Sequence, residues 1–273
     1  MIVPVGNQSY FVRLKGSGEP VILLHGFTGS AKQWRNVVSE SNLPVQWIGI
    51  DLPGHGKTIV REEKSMEEYV DELIEVINQL EIENFHLLGY SMGGRTALLL
   101  ANRHPERIKS LTLAGASPGL KTTEEQEARK ESDEKLAQFI EDKGIEAFVD
   151  YWENIPLFQS QQSLSPEIKK VLHNERLFQT EHGLALSLKT MGTGVMPSLW
   201  DQLEQIQIPT LLVTGELDEK FNSINEEMLK RLPRAEHQVV KEAGHAVHVE
   251  NLHSFVKIVS EFLQQHIHTK THT

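Results

Sequence analysis

A chain of 273 residues, 39% apolar and 24% charged, has the composition of one globular domain or of one domain with a sizeable insert. A formal net charge of −11 argues against non-specific binding to nucleic acid or an acidic membrane, while leaving room for a local cationic pocket that takes a small acidic ligand. The absence of cysteine excludes disulfides, thiol catalysis and cysteine-ligated metals, and fits a reducing cytoplasm.

The opening stretch MIVPVGNQSYFVRL lacks a basic segment ahead of a long apolar one, so it does not read as a signal peptide. No apolar run approaches the roughly 18 residues of a membrane span. Along the chain, YFVRLKG, PVILLHG, VQWIGIDLPG, NFHLLGYS and IKSLTLAGAS read as strands. Several are nearly continuous apolar runs, as expected of a parallel sheet covered on both faces. Between them, SMEEYVDELIEVINQLEI is an amphipathic helix with Tyr69, Leu73, Ile77 and Leu80 at helical spacing and a Ser65–Glu68 capping box. GGRTALLLANRHP is a second helix, stopped by Pro105.

After Gly119 the strand pattern stops. TTEEQEARKESDEKLAQFIEDKG, IEAFVDYWENIPLF, SPEIKKVLHNERLF and HGLALSLKTMG read as helices punctuated by Gly and Pro. The α/β rhythm then resumes with strand PTLLVTGELD, helix NSINEEMLKRLP, strand AEHQVVKEA and helix LHSFVKIVSEFLQQH. The expected fold class is α/β, a mostly parallel sheet with helices on both faces. Residues 1–120 and 201–273 form its core, and 121–200 a helical cap or lid. The histidines of the terminal HIHTKTHT are given no metal role.

Gly89-Tyr90-Ser91-Met92-Gly93 fits G-x-S-x-G between a strand and a helix. Glycines there permit a sharp turn that lifts the serine hydroxyl above the sheet. A serine hydroxyl becomes a useful nucleophile or base when a histidine can take its proton and an acid orients that histidine. In this fold the order is Ser, then Asp or Glu, then His. Asp218, at the end of PTLLVTGELD, is preferred to Glu216 because it lies nearer the loop, and His245 to His248 because Gly244 suits a tight turn. All sit after strands, on the edge where open α/β sheets carry their sites. The N–H groups of Phe27, in LLHGFTG, and Met92 are candidates for an oxyanion hole. His25 is read as shaping that loop and Asp51 as a turn former. No dinucleotide, phosphate-loop or zinc-helix motif is present, so no cofactor and no metal are expected. Arg95, four residues past Ser91, stands against the dipole of its helix.

LLHGFTG, DLPGHG, GYSMGG, GELD and AGH in this order make the chain resemble the α/β-hydrolases over nearly its full length. GYSMGGRTAL, GASPGL, ARKESDEKLA, FVDYWENIPLF, HGLALSLKTMGTG and GELDEKF together resemble the 2-succinyl-6-hydroxy-2,4-cyclohexadiene-1-carboxylate synthases of menaquinone biosynthesis. The resemblance implies a cofactor-independent lyase that eliminates pyruvate with a Ser-Asp-His triad, here Ser91, Asp218 and His245. It also implies that arginines hold a tricarboxylate substrate, here Arg95, Arg129 and Arg176, with Tyr90 and Trp152 beside them. Arginine suits that task because its planar fork binds a carboxylate through two charge-assisted bonds. Two other readings remain at this level: an ester or thioester hydrolase with the same triad, and a ligand receptor on a hydrolase fold. Nothing in the sequence sets an oligomeric state.

Overall fold

The apolar runs pair into one sheet. A computed structural model describes residues 1–267 and orders eight strands as β1-β2-β4-β3-β5-β6-β7-β8. The strands are β1 Ile2–Val5, β2 Gln8–Gly16, β3 Glu19–Leu24, β4 Val45–Ile50, β5 Phe85–Tyr90, β6 Ile108–Ala114, β7 Thr210–Gly215 and β8 Ala235–Val240. β1 and β2 run antiparallel to their neighbours; the pairs from β4 through β8 are parallel.

Period-two alternation explains the two-sided burial. Ile22 and Leu24 of β3 face one cluster, and Val21 and Leu23 face the other. The helices that cover these faces come from both ends of the chain. α1 (Arg35–Glu40) supplies Val37 and α9 (Leu252–His266) supplies Val259 and Leu263 to one side. α2 (Met66–Gln79) and α3 (Met92–Arg103) supply Leu73, Ile77 and Leu98 to the other. Each such side chain, fully buried, contributes about 1.5–3 kcal/mol. The expected capping box of α2 is present: Glu68 N–H donates to Ser65 Oγ, and Ser65 N–H donates to Glu68 Oε2.

The residues between β6 and β7 fold as helices. α4 spans Thr123–Trp152, α5 Pro166–Leu177 and α6 Glu181–Met191, with a 3-10 helix at Pro156–Ser163. Their shared core joins Ile140, Phe148 and Val149 to Leu184 and Leu188. α7 (Glu219–Leu229) follows β7, and the short α8 (Val247–Glu250) precedes α9.

Four local features differ from the sequence expectation. β1 is a strand although its run is short; the turn Gly6–Asn7 folds it back onto β2. Ala31–Glu40 is helical, entered from Ser30, whose side chain accepts from Lys32 N–H. Pro156–Phe158 forms 3-10 rather than α-helix, beginning at a proline. The two segments expected on either side of Gly144 run on as α4, broken at that glycine (φ 83°, ψ 170°). The freed N–H of Ile145 donates to Glu181 Oε1 at 3.1 Å. His268 and His272 of the tail lie outside the described residues.

Gly144 occupies backbone space that side-chain-bearing residues enter only at a cost of about 1–3 kcal/mol. Gly144→Ala should therefore lower stability by that amount, read as a reduced denaturation midpoint at unchanged m-value.

Candidate active site

The turn from β5 into α3 sets the site. Ser91 adopts φ 51°, ψ −111°, and its N–H donates to Ala114 O on β6 at 2.8 Å. The turn is possible because its flanks come very close to other backbone. A Cβ on Gly93 would stand 2.2 Å from Leu24 O, and one on Gly89 2.2 Å from Gly93 O. Glycine is thus required at both positions, and the serine hydroxyl is presented above the sheet edge.

β7 and β8 bring the partners. Ser91 Oγ–H donates to His245 Nε2 at 2.9 Å, and His245 Nδ1–H donates to Asp218 Oδ2 at 2.7 Å. These partners fix one neutral tautomer. Asp218 is also the N-cap of α7, its Oδ1 accepting from Phe221 N–H at 3.3 Å. The loop of His245 is clamped by Glu250, whose carboxylate accepts from Gly244 N–H at 2.7 Å and Ala246 N–H at 3.1 Å. Glu216 instead accepts from Glu242 N–H, on the exposed side of the loop. His248 is buried behind Tyr90, ring centroids 4.4 Å apart, and neither of its ring nitrogens has a hydrogen-bond partner.

Ser91 and His245 open into a cavity of about 870 Å³, within the range of small-molecule sites. Phe27, Tyr90, Met92, Arg95, Arg129 and Trp152 line it. Met92 is the first residue of α3, so its N–H has no intrahelical acceptor and points from the positive end of the helix. Phe27 precedes Thr28 in the loop after β3. Its ring stands edge-on to Trp152 at 5.3 Å, and Trp152 in turn stacks on Phe148.

Two histidines brace this loop. His25 Nδ1–H donates to Gly26 O at 2.8 Å while Nε2 accepts from Leu52 N–H at 2.9 Å. His55 Nδ1–H donates to Pro53 O at 3.1 Å while Nε2 accepts from Thr28 N–H at 3.2 Å. The Asp51 carboxylate accepts from the N–H groups of Ala31 and Lys57. These side chains are spent on backbone groups and hold two loops together.

The arginines divide. Arg95 Nη1 donates to Met191 O at 3.0 Å. Burial, and then the charge of Arg129, bring its pKa down to about 10, which still leaves it protonated at neutral pH. Arg129 Nε donates to Asp133 Oδ1 at 2.7 Å, an i,i+4 pair on α4. Arg176, which the resemblance places at the substrate, is absent from the cavity lining. Its Nη1 donates to Glu153 at 2.9 Å and its Nη2 to Gln161 at 3.1 Å, among the helices between β6 and β7. A guanidinium left only 8% exposed needs such partners, and Glu153 is the acid within reach. Lys220 lines the cavity at its exposed edge. Among the described residues no group of three or more His, Asp or Glu is placed to hold a metal ion.

Comparison with known proteins identifies relatives of the same fold. Residues 19–252 match the alpha/beta hydrolase fold family. The chain is 47% identical over 250 residues to a Bacillus subtilis (strain 168) protein named "Putative 2-succinyl-6-hydroxy-2,4-cyclohexadiene-1-carboxylate synthase", covering 90% of this chain and 91% of the other. It is 29% identical over 250 residues to the 2-succinyl-6-hydroxy-2,4-cyclohexadiene-1-carboxylate synthase of Enterobacter sp. (strain 638), covering 90% and 92%. Among solved structures, MenH from S. aureus matches with a TM-score of 0.89 at 34% identity, covering 93% and 98%.

Three buried histidines around the site are held neutral. Burial pushes His25 down to about 4, and His55 and His248 to about 3. The unfolded chain protonates the same rings near 6.5, so between about pH 6.5 and 4 it binds more protons than the fold, and stability falls as pH falls. Urea unfolding at pH 7, 6 and 5 should show this decline. His248→Phe, which fills the same apolar slot without a titrating ring, should make it shallower.

Proposed function

The chain belongs to the alpha/beta hydrolase family and, within it, to the 2-succinyl-6-hydroxy-2,4-cyclohexadiene-1-carboxylate synthases, and from that membership we propose which of its residues do the chemistry. It is a lyase of menaquinone biosynthesis that eliminates pyruvate from 2-succinyl-5-enolpyruvyl-6-hydroxy-3-cyclohexene-1-carboxylate. The observation that carries the residue assignment is the hydrogen-bonded line Ser91–His245–Asp218, opening on a cavity wall that holds Arg95 and Arg129.

In this proposal Ser91 works as a base. Its oxygen takes the ring proton next to the succinyl carbonyl as its own proton passes to His245 Nε2. The released electron pair moves onto the carbonyl oxygen, where the N–H groups of Phe27 and Met92 offset the developing charge. It then returns through the ring double bond and breaks the C–O bond to the enolpyruvyl group. The leaving enolpyruvate takes up a proton and becomes pyruvate, with imidazolium His245 as the donor. Asp218 supports the charge on His245 while that proton is stored.

The substrate is a small cyclic carboxylate, and its full tricarboxylate form is part of the proposal. Arg95 and Arg129 hold carboxylates, Arg176, stacked over the cavity-lining Phe158, is the third arginine for them, and Tyr90 and Trp152 shape the wall. Residues 121–200 act as a cap over the core, and the work takes place in the cytoplasm, in keeping with a chain that has no cysteine.

The test is release of pyruvate from that substrate together with appearance of the conjugated diene. Ser91→Ala should lower kcat about 10³-fold or more. Retention of wild-type turnover in that variant would remove Ser91 from the mechanism. Arg95→Ala should lower kcat/KM about 10- to 100-fold, the loss of one charge-assisted pair. A neutral p-nitrophenyl ester should be a poor substrate; esterase-like turnover would shift the reading to a hydrolase.

A further inference from the structure

We propose that Gln179 is a positioning residue that aims the Phe27 N–H at the reacting oxygen by tying the cap to the loop after β3. The proposal rests on the assignment of Phe27 and Met92 as anion donors made above.

Gln179 follows α5 and is 5% exposed. Its Nε2 donates to Thr28 O at 3.2 Å and Gly29 O at 3.0 Å, and lies 3.4 Å from Glu175 O. Its Oε1 accepts from Gly56 N–H at 2.9 Å. Two core carbonyls at one end and an N–H at the other leave a single sensible orientation for the amide. One cap side chain therefore joins the loop after β3 to the loop after β4.

The loop needs such support. Thr28 has φ 67°, a left-handed position that a β-branched residue holds at a cost of about 1–3 kcal/mol and only where its surroundings impose it. The neighbouring groups are all engaged: Gly26 N–H with Gln33 Oε1, Thr28 N–H with His55, and Gly29 N–H with Gly26 O. Gln179 supplies donors for the two carbonyls that follow Phe27. Among the described residues the Phe27 N–H has no protein acceptor, as an anion donor requires. The ring of Phe27 packs on Trp152, but apolar contact fixes position more than it fixes the direction of an N–H. A displacement of about 1 Å at a donor is enough to cost about 10²-fold in rate.

The experiment measures kcat and KM for pyruvate release by the full-length protein in wild type, Gln179→Glu, Gln179→Met and Ser91→Ala, with thermal unfolding of each. Gln179→Glu keeps the acceptor for Gly56 and alters only the end that faces the two carbonyls. The expected result is a fall in kcat of about 10- to 100-fold in Gln179→Met with KM within about threefold. In Gln179→Glu the kcat relative to wild type should fall as pH rises, because a protonated acid can donate to one carbonyl and a carboxylate repels both. Wild-type kcat in the folded Gln179 variants, or a rise in KM alone, overturns the proposal. So does failure of both variants to fold, which would assign Gln179 to the fold rather than to the donor. Undiminished turnover in Ser91→Ala would instead overturn the reading of the site itself.

Discussion

Ser91 stands in a backbone conformation that costs a residue with a side chain about 1–3 kcal/mol, and the rest of the site is arranged around that turn. The turn persists because strand, helix and neighbouring loop leave no other path. Gly93 lies against the backbone of Leu24 and His25, Gly89 lies against Gly93, and the Ser91 N–H is held by β6. The hydroxyl is thereby fixed relative to the sheet before any partner is considered. β7 and β8 extend the same sheet, so the loops that follow them deliver Asp218 and His245 to the same edge. Parallel strands do this automatically: successive carboxyl ends point the same way.

The second organising force is charge. The open end of α3, Arg95 and Arg129 all present positive potential to one cavity inside a protein of net charge −11. Two neighbouring guanidinium groups repel, and Asp133 neutralises part of that repulsion from beneath Arg129. On the proposed function, an anionic ligand between them relieves the remainder. The proposal thus gives a use to the cation that sits awkwardly against the helix dipole.

The parts of the site that were legible along the chain are those encoded locally. The turn around Ser91 is written in its glycines, Asp218 follows the apolar run of β7, and His245 follows the mixed strand AEHQVV with Gly244 marking its turn. Asp133 could have been found from its i,i+4 spacing to Arg129. The parts that were not legible depend on packing across the chain. The partners of Arg176 are one such case: Glu153 and Gln161, brought beside it by the helices between β6 and β7, take its hydrogen bonds. Glu250 clamps the His245 loop through two N–H groups, and nothing in its immediate sequence announces that reach. Likewise β1 is too short to stand out from its neighbours and exists because β2 offers it an edge.

The break at Gly144 divides the long α4 into two rods. Arg129 and Asp133 belong to the first rod; Phe148 and Trp152, which meet the ring of Phe27, belong to the second. The two rods nevertheless share one apolar core, Ile140 of the first packing with Phe148 and Val149 of the second and with Leu184 and Leu188 of α6. On the proposed function, the α4 charge that faces the carboxylates comes from the first rod and the contact with the Phe27 loop from the second. One glycine thus lets a single run of helix present Arg129 to the cavity from one half and Trp152 from the other.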